Sequence, residues 1–350
     1  MLDDVSRAQA ILTLPGREQR NEVIMSTASE AIVIRAYGGP DVMKLEPVEV
    51  SAPLAGELLV HQHAASVNFH DIYVRSGSYR TLDLPGIPGL EAVGTVAAVG
   101  EGVAEFAFGD RIAYIARNYG GYARARIISA ALAVPVPGGI EDGVAAAWFL
   151  KGLTAQALVE EVEPVRPGMA VLVQAAGGGV GQLVARMARL QGGRVIGTAG
   201  SADKASIALA AGCDEVILYR VEDVTARVMA FTGGEGVSAA YDAVGADTFE
   251  GSLTSLAIKG HLVHYGQASG PIPPFDLSRL GAKSAKVSRP FLWPYISTRE
   301  TLLAASQKLF AAMAAGALPV TLGGRFDLRD AAKAHAALEA RAAGPFVLDC

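Results

Sequence analysis

The stretch that decides the fold reads Ala170-Val171-Leu172-Val173-Gln174-Ala175-Ala176-Gly177-Gly178-Gly179-Val180-Gly181. A short apolar run leads into a turn of small residues, and a helical pattern over Val180–Gln191 follows. Because the turn has no bulky side chains, phosphate oxygens can approach its backbone N–H groups, and the helix N-terminus adds roughly half a positive charge. Written as Ala176-x-Gly178-x-x-Gly181, the stretch is the dinucleotide fingerprint with alanine at the first glycine position. Strand, turn and helix in this order predict a dinucleotide site.

The loop after the second predicted strand, Arg194–Gly197, indicates which dinucleotide binds. In an NAD site, an acidic residue about 20 residues past the glycines holds the ribose 2′-hydroxyl. Here the loop reads Thr198-Ala199-Gly200-Ser201, and Asp203 comes later, next to Lys204. Hydroxyl and ammonium donors suit a 2′-phosphate, and Tyr219 at the end of the third strand can add a hydroxyl. NADPH is therefore favoured over NADH, although most lysines like Lys204 are simply solvated helix residues.

Bulk composition is that of a soluble globular protein with room for two domains. The chain has 350 residues, of which 51% are hydrophobic and 19% charged. No apolar run reaches the ~18 residues of a membrane span, and residues 1–24 lack the apolar core of a signal peptide. We therefore expect no membrane partner and a cytoplasmic location. The net charge of −5, without a basic block, argues against nucleic acid as a partner.

Cysteines and histidines are too few and too scattered to predict a metal site. The chain has two cysteines, Cys213 and Cys350, and six histidines without a His-Glu-x-x-His motif. This excludes a disulfide framework and a cysteine-rich structural zinc site. His61 and His63 alternate on a predicted strand and could share a metal. No cysteine or carboxylate partner stands near them in the sequence, so ordinary surface or core roles are favoured.

Two patterns of secondary structure divide the chain. From Glu30 to about Pro137, short β-like runs separated by glycine and proline predict a barrel-like β domain. From about Lys151, strands alternate with helices, which predicts a doubly wound parallel sheet. Its predicted strands are Ala170–Val173, Arg194–Gly197, Glu215–Tyr219, Val237–Asp242, His261–Tyr265 and Lys286–Arg289. Two further helices follow, near Arg299–Ala315 and Leu328–Ala342.

The terminal apolar run, Phe346–Leu348, is too short to stand alone, so we expect it to return to the β domain. The parallel-sheet domain is then an insertion within the β domain. The predicted boundaries are a loosely ordered extension at 1–25, a β domain at 26–150 and 291–350, and a dinucleotide-binding domain at 151–290.

Five stretches carry a resemblance to a known family. They are Asn68–Gly77, Leu150–Thr154, Ala176–Gly181, Gly197–Lys204 and Ser288–Pro290. Together with the domain order, they resemble the zeta-crystallin-type NADPH:quinone oxidoreductases, the zinc-free branch of the medium-chain dehydrogenase/reductase superfamily. The resemblance extends from about residue 31 to residue 349. It implies an α/β fold in which a Rossmann domain is inserted into a GroES-like β-barrel catalytic domain.

A zinc-ligand motif of related alcohol dehydrogenases is missing. Those enzymes carry Gly-His-Glu and an earlier catalytic cysteine, whereas this chain reads Gly89-Leu90-Glu91 and has no cysteine before Cys213. Because leucine cannot ligate zinc, we expect no metal-polarised alcohol chemistry. Glu91 is expected to be a structural partner for a turn.

The resemblance implies roles for residues near the reaction. It places Asn68 and Tyr73 beside the nicotinamide and the substrate carbonyl, and Thr154 at the polar edge of the nicotinamide. Neutral donors suit an acceptor that gains negative charge on oxygen; buried packing is the alternative for Tyr73. His70 stands where relatives usually carry an aliphatic residue, and it either alters substrate preference or forms a pocket wall. Asp71 would repel an anionic product, so we expect its carboxylate to bind either backbone N–H groups or Arg75.

Motif and resemblance together predict the cofactor contacts. These are Ala176 and Gly181 in the turn, Gly178, Gly179 and Val180 at the pyrophosphate, Ser201, Lys204, Tyr219 and Arg341 at the 2′-phosphate, Gly266, Gln267 and Ala268 along the cofactor, and Arg289 and Phe291 near the nicotinamide. For Arg341, a solvated helix position is the alternative.

The leading hypothesis is a metal-free NADPH-dependent quinone reductase. The alternative is an enone or enal reductase, because the same donors would stabilise its oxyanion. A non-enzymatic cofactor- or RNA-binding role is less favoured, since the chain is acidic. Family resemblance also implies a homodimer, formed through an exposed sheet edge such as His261–Tyr265 or Lys286–Arg289.

Overall fold

The structure is a computed structural model that describes residues 26–318, 321–342 and 344–350. The predicted extension at 1–25 lies outside the described residues. The described residues divide into two compact units: unit 1 comprises 26–136, 325–340 and 346–350, and unit 2 comprises the described part of 137–324 and of 341–345. Among the described residues, every helix is too short or too polar to cross a lipid bilayer.

The strands, in chain order, are β1 (Thr27–Val33), β2 (Lys44–Val50), β3 (Glu57–Val67), β4 (Glu91–Val99), β5 (Arg111–Ile115), β6 (Ala125–Ser129), β7 (Ala133–Pro135), β8 (Ala170–Val173), β9 (Arg194–Ala199), β10 (Glu215–Leu218), β11 (Val237–Asp242), β12 (Leu256–His264), β13 (Lys286–Ser288), β14 (Gly324–Asp327) and β15 (Phe346–Asp349). The α-helices are α1 (Phe69–Ser76), α2 (Asp142–Ala157), α3 (Gly179–Leu190), α4 (Ala202–Ala210), α5 (Val224–Thr232), α6 (Phe249–Thr254), α7 (Arg299–Ala314) and α8 (Ala331–Glu339).

Unit 1 is built around an antiparallel sheet with the strand order β14-β15-β3-β4-β5-β7, in which β6 also pairs with β3. The long strand β3 has pairing irregularities against β4, and there Gly94 lies close to the neighbouring backbone: a Cβ on it would be 2.2 Å from the carbonyl oxygen of His61. Strand β15 pairs antiparallel with β3, with Phe346 opposite Val67. The predicted return of the C-terminal run to the β domain is therefore confirmed.

Unit 2 contains a parallel sheet with the strand order β10-β9-β8-β11-β12-β13. Its strands read as continuous apolar runs because helices cover both faces, and Leu172, Ile196 and Leu262 are fully buried. The first strand of the unit, β8, lies in the middle, so the order reverses there, as in a doubly wound dinucleotide fold. The predicted fold class is confirmed.

Two details differ from the prediction. Residues 137–150 and 291–324 belong to unit 2, because α2 and α7 pack together: the rings of Phe149 and Phe310 stack with centroids 5.4 Å apart. Sequence pattern does not show against which neighbour such a helix packs. Second, β12 pairs with both β11 and β13. The predicted free edge at His261–Tyr265 is therefore wrong, and the edge strands of this sheet are β10 and β13.

Candidate active site

The glycine-rich turn of unit 2 is tight enough to exclude side chains. A Cβ on Gly177 would lie 2.3 Å from the carbonyl oxygen of Lys204, and one on Gly181 would lie 2.2 Å from that of Ala175. Ala175 itself has a left-handed backbone, with φ of 51°. The half-buried residues 178–180 then begin α3, whose first N–H groups have no acceptor within the helix. This is a backbone cradle for an anion at a helix N-terminus.

Ala176 has a supporting position in this turn. It is fully buried, and a Cβ on Gly197 would lie 2.8 Å from the Ala176 methyl group. The Ala176 N–H donates to the carbonyl oxygen of Thr198. We therefore expect Ala176 to hold the turn against β9 rather than to touch a ligand.

A buried polar network behind the turn was not anticipated from the sequence. The Thr198 hydroxyl donates to Gln174 Oε1 at 2.6 Å, and Gln174 Nε2 donates to the Ser252 hydroxyl at 2.9 Å. Ser252 in turn donates to Asp242 Oδ2 at 2.8 Å. Thr198 also accepts from the Ala175 N–H. The network links the ends of β8, β9 and β11 and holds the turn in place; polar residues at those strand ends were the available signal.

The charges of two arginines act on Lys204, which follows the end of β9. Burial lowers the pKa of the half-buried Lys204, and the positive charges of Arg341 and Arg220 lower it further. A Cβ on Gly200 would be 3.2 Å from the Tyr219 hydroxyl oxygen. Ser201 caps α4 by accepting from the Lys204 N–H. Arg220 was missed by the sequence reading, although it follows Tyr219 directly.

The remaining predicted cofactor residues of unit 2 lie on loops that follow the strands. A Cβ on Gly266 would be 2.6 Å from the carbonyl oxygen of Ala243, so the loop after β12 lies against the loop after β11. Arg289 Nη2 donates to Gln267 Oε1 at 3.2 Å, and its guanidinium lies 5.9 Å from the Phe291 ring centroid. Gln267, Arg289 and Phe291 therefore form one contiguous group.

Helix α2 carries two further residues of interest. The Thr154 hydroxyl donates to the carbonyl oxygen of Leu150 at 2.7 Å. The side chain of Lys151 runs along the start of α3: a Cβ on Gly179 would lie 3.0 Å from its Cδ. Lys151 is buried. It was quoted in the resemblance without a role, and it adds a cation beside the phosphate cradle.

In unit 1, Asn68 is held firmly at the start of α1. Its Nδ2 donates to Glu91 Oε1 at 2.9 Å, and its backbone N–H donates to Asp71 Oδ2 at 2.9 Å. Glu91 and Asp71 are fully buried. Asp71 thus holds backbone, one of its two expected roles, while Glu91 orients the amide of Asn68 rather than a turn.

A directional chain of hydrogen bonds extends behind Asn68. Arg75 Nη1 lies 3.4 Å from His335 Nδ1, and the arginine forms an ion pair with Glu339. Because the guanidinium only donates, Nδ1 accepts, and His335 Nε2–H then donates to the Tyr122 hydroxyl at 3.0 Å. Tyr122 donates to Asp71 at 3.1 Å. Burial, and secondarily Arg75, lowers the pKa of His335 to about 3, so its ring is neutral.

The neutral His335 ring in this chain of hydrogen bonds predicts that the folded protein loses stability in acid. The unfolded chain protonates His335 near its ordinary pKa of 6.5, whereas the folded protein does so only near 3. Between those values the unfolded state binds more protons, so the free energy of unfolding falls with falling pH, by about 1.4 kcal/mol per unit from this group. Denaturant titrations at about pH 7, 6 and 5 should show a shallower pH slope for His335→Gln.

The matched control for this prediction is His63→Gln, because His63 is exposed on β3, where its ring bonds the hydroxyl of Thr95. That variant should keep the wild-type slope. Parallel slopes for wild type and His335→Gln would show that His335 is not held neutral.

An aromatic cluster lies on the exposed side of α1. Tyr73 and Tyr79 have ring centroids 5.1 Å apart, and the His70 ring lies 5.5 Å from Tyr79 and 5.9 Å from Tyr119. His70 Nε2 is 3.0 Å from the Tyr119 hydroxyl. Burial lowers the pKa of His70 to about 4. Tyr119 stands in the stretch Asn118-Tyr119-Gly120-Gly121, which is typical of a turn, and its left-handed φ of 55° fits that turn.

The described residues contain no group of three or more histidines, cysteines, aspartates or glutamates placed to hold a metal ion. Leu90, at the position that corresponds to a zinc-ligating histidine, is buried.

Comparisons with known proteins agree with this architecture. The family described as "Alcohol dehydrogenase GroES-like domain" matches residues 54–138, and "Zinc-binding dehydrogenase" matches residues 179–308. A quinone oxidoreductase of Salmonella typhimurium is 41% identical over 89% of this chain and 96% of its own length. A 2-haloacrylate reductase of a Burkholderia species is 38% identical over 87% of this chain and 94% of its own.

Among solved structures, Escherichia coli quinone oxidoreductase complexed with NADPH superposes with a TM-score of 0.89 at 39% identity, covering 92% of this chain and 100% of that one. The shared length, the identity and the two matched domains lead to one conclusion. The chain belongs to the quinone oxidoreductase family of the medium-chain dehydrogenase/reductase superfamily.

Proposed function

We propose that this protein is an NADPH-dependent quinone oxidoreductase that reduces its acceptor directly, without a metal. The observation that carries the proposal is the position of Lys204 beside the glycine-rich turn, where a Cβ on Gly177 would lie 2.3 Å from its carbonyl oxygen. The positive charges of Arg220 and Arg341 also act on Lys204 there. Three cations raise the free energy of the unliganded protein, and a bound dianionic phosphate would offset this repulsion. The NADPH complex of the E. coli relative supports the same cofactor.

The residues present fit NADPH. The turn leaves no space for side chains at Gly177 and Gly181, so the pyrophosphate can approach the backbone at residues 178–180. We assign Lys204, Tyr219 and Arg341 to the 2′-phosphate, with Ser201 beside them. The loop at 266–268 and the neighbouring pair Arg289 and Phe291 are proposed to hold the nicotinamide half. When bound, NADPH supplies the hydride.

The residues of unit 1 are proposed to receive the acceptor. Flat aromatic faces of Tyr73 and Tyr79 suit a planar conjugated ring. As a quinone is reduced, one oxygen becomes anionic and then takes up a proton to give the hydroquinone. The Asn68 amide, held by Glu91, and the Tyr73 hydroxyl are neutral donors for that oxygen. In unit 2, Thr154 is proposed at the polar edge of the nicotinamide.

A reductase of conjugated carbon–carbon double bonds is the second candidate. The 38% identity to a 2-haloacrylate reductase favours it, because the substrate in that relative's name is a conjugated unsaturated acid. The same neutral donors would stabilise the oxyanion formed next to a reduced double bond.

A steady-state assay separates the two candidates. NADPH oxidation is followed with 1,2- and 1,4-quinones, with small alkenals and with 2-haloacrylate at matched concentrations. We expect the highest kcat/KM with a quinone, and NADH to serve poorly as the donor. No oxidation with any quinone, with turnover of the alkenals, would replace the first proposal by the second.

We further propose that the protein works as a homodimer. Strand β13, like β10, is an edge strand of the parallel sheet, and its outer backbone groups suit pairing with a second copy across a two-fold axis. Turnover that survives exhaustive chelation is expected for a metal-free reaction. A cytoplasmic location stays a prediction of the sequence.

A further inference from the structure

We propose that His70 determines acceptor specificity: its Nδ1–H binds the second oxygen of a quinone, and Tyr119 positions it by fixing the tautomer of the ring. The inference rests on the proposed function and names a feature of the acceptor that the site selects. A quinone presents two carbonyl oxygens, whereas an alkenal presents one.

The hydrogen bond between His70 and Tyr119 sets the tautomer. The Tyr119 hydroxyl lies 3.0 Å from His70 Nε2 and also bonds the Thr81 hydroxyl at 2.5 Å. Burial raises the pKa of Tyr119, so its hydroxyl keeps the proton. A phenol is a better donor than acceptor, and the Nε2 lone pair of imidazole is a strong acceptor. The favoured arrangement is therefore Thr81 donating to Tyr119, and Tyr119 donating to Nε2, which leaves the proton of His70 on Nδ1.

This tautomer gives the cluster a second neutral donor. Within the described part of the chain, Tyr119 is the one hydrogen-bond partner of the His70 ring. Since the pKa of His70 is lowered to about 4 by burial, the ring carries no charge at neutral pH. A neutral N–H can bind either a carbonyl oxygen or the anionic oxygen that follows it, without the cost of burying a cation.

The His70 donor lies beside Tyr73, the donor already proposed for the reaction. His70 and Tyr73 are three residues apart on α1 and therefore lie on the same helix face. Both rings contact Tyr79, at centroid distances of 5.5 Å and 5.1 Å. One face of α1 thus offers two neutral donors against a common aromatic wall. That arrangement suits a flat ring with an oxygen on each side.

A spectroscopic test examines the tautomer without using activity. In protein labelled with ¹⁵N-histidine, ring nitrogen shifts distinguish Nδ1–H from Nε2–H, and comparison with His70→Leu identifies the His70 signals. We expect the Nδ1–H form in wild type. Tyr119→Phe should return the ring toward the Nε2–H form that free imidazole side chains prefer. Tyr37→Phe is the matched control, since its hydroxyl bonds the Leu82 carbonyl and not the His70 ring.

A kinetic test examines the specificity. His70→Leu should lower kcat/KM for a quinone by about tenfold to a hundredfold, leave kcat/KM for an alkenal within about twofold, and leave NADPH affinity unchanged. Tyr119→Phe should shift the same ratio in the same direction, and Tyr37→Phe should not. An Nε2–H tautomer in wild type, or an unchanged quinone-to-alkenal ratio in His70→Leu, would overturn this inference. If wild type itself reduces no quinone, it is the proposed function that has failed.

Discussion

Lys204→Ala is expected to weaken NADPH binding by about 2–3 kcal/mol, roughly a hundredfold, while NADH affinity stays nearly constant. In the proposed binding mode the ammonium group donates charge-assisted hydrogen bonds to the 2′-phosphate, which NADH lacks. Arg220 and Arg341 remain in the variant and retain part of the attraction. Calorimetric titration of both cofactors into wild type and variant measures the difference.

The melting temperature of the Lys204→Ala variant provides a second test, because the expected effect without cofactor is opposite to the effect with NADPH. Burial and the charges of Arg341 and Arg220 already disfavour the charged form of Lys204 in the folded state, as its lowered pKa indicates. Removing this ammonium group should therefore maintain or raise the melting temperature without cofactor, and lower it in the presence of NADPH. Lys333→Ala is the control, because Lys333 is exposed and forms an ion pair with Asp330 at 2.9 Å. Equal losses of NADPH and NADH affinity would remove Lys204 from the 2′-phosphate.

Tyr73→Phe is expected to lower kcat with quinones about a hundredfold and to leave NADPH affinity intact. The substitution keeps the ring, so the contacts with Phe69 and Tyr79 persist, at centroid distances of 6.3 Å and 5.1 Å in wild type. What disappears is the hydroxyl that we propose donates to the acceptor oxygen as it becomes anionic. Pre-steady-state NADPH oxidation with a single quinone, together with cofactor titration, separates chemistry from binding.

One kinetic result would contradict the prediction for Tyr73→Phe. If kcat is unchanged, the hydroxyl has no part in the reaction and Tyr73 is a packing residue, which is the alternative that its sequence context leaves open. Tyr37→Phe, which removes a hydroxyl on the same unit that bonds the Leu82 carbonyl, should leave kcat at the wild-type value.

Local chemistry explains why so much of unit 2 was predictable. The phosphate cradle needs small residues between a buried strand and a helix start, and those requirements act over a dozen neighbouring residues. The absence of an acid after β9, with Lys204 nearby, is likewise a local signal. Arg220 was not recognised, since its relevance arises only when the loops after β9 and β10 come together with Arg341.

The sequence by itself determined the class of the fold, the glycine-rich turn and the choice of NADPH, because strand periodicity and phosphate binding depend on residues close together in the chain. Only the tertiary structure decided the partners of buried polar groups. Asn68 is oriented by Glu91, 23 residues away, and Tyr122 meets His335 across 213 residues. Tyr119, a loop residue, bonds the ring of His70, which lies 49 residues earlier in the chain. This contact sets the tautomer of His70. Such pairs form because a buried polar group must find a donor or acceptor, and the folded backbone alone decides which one is within reach.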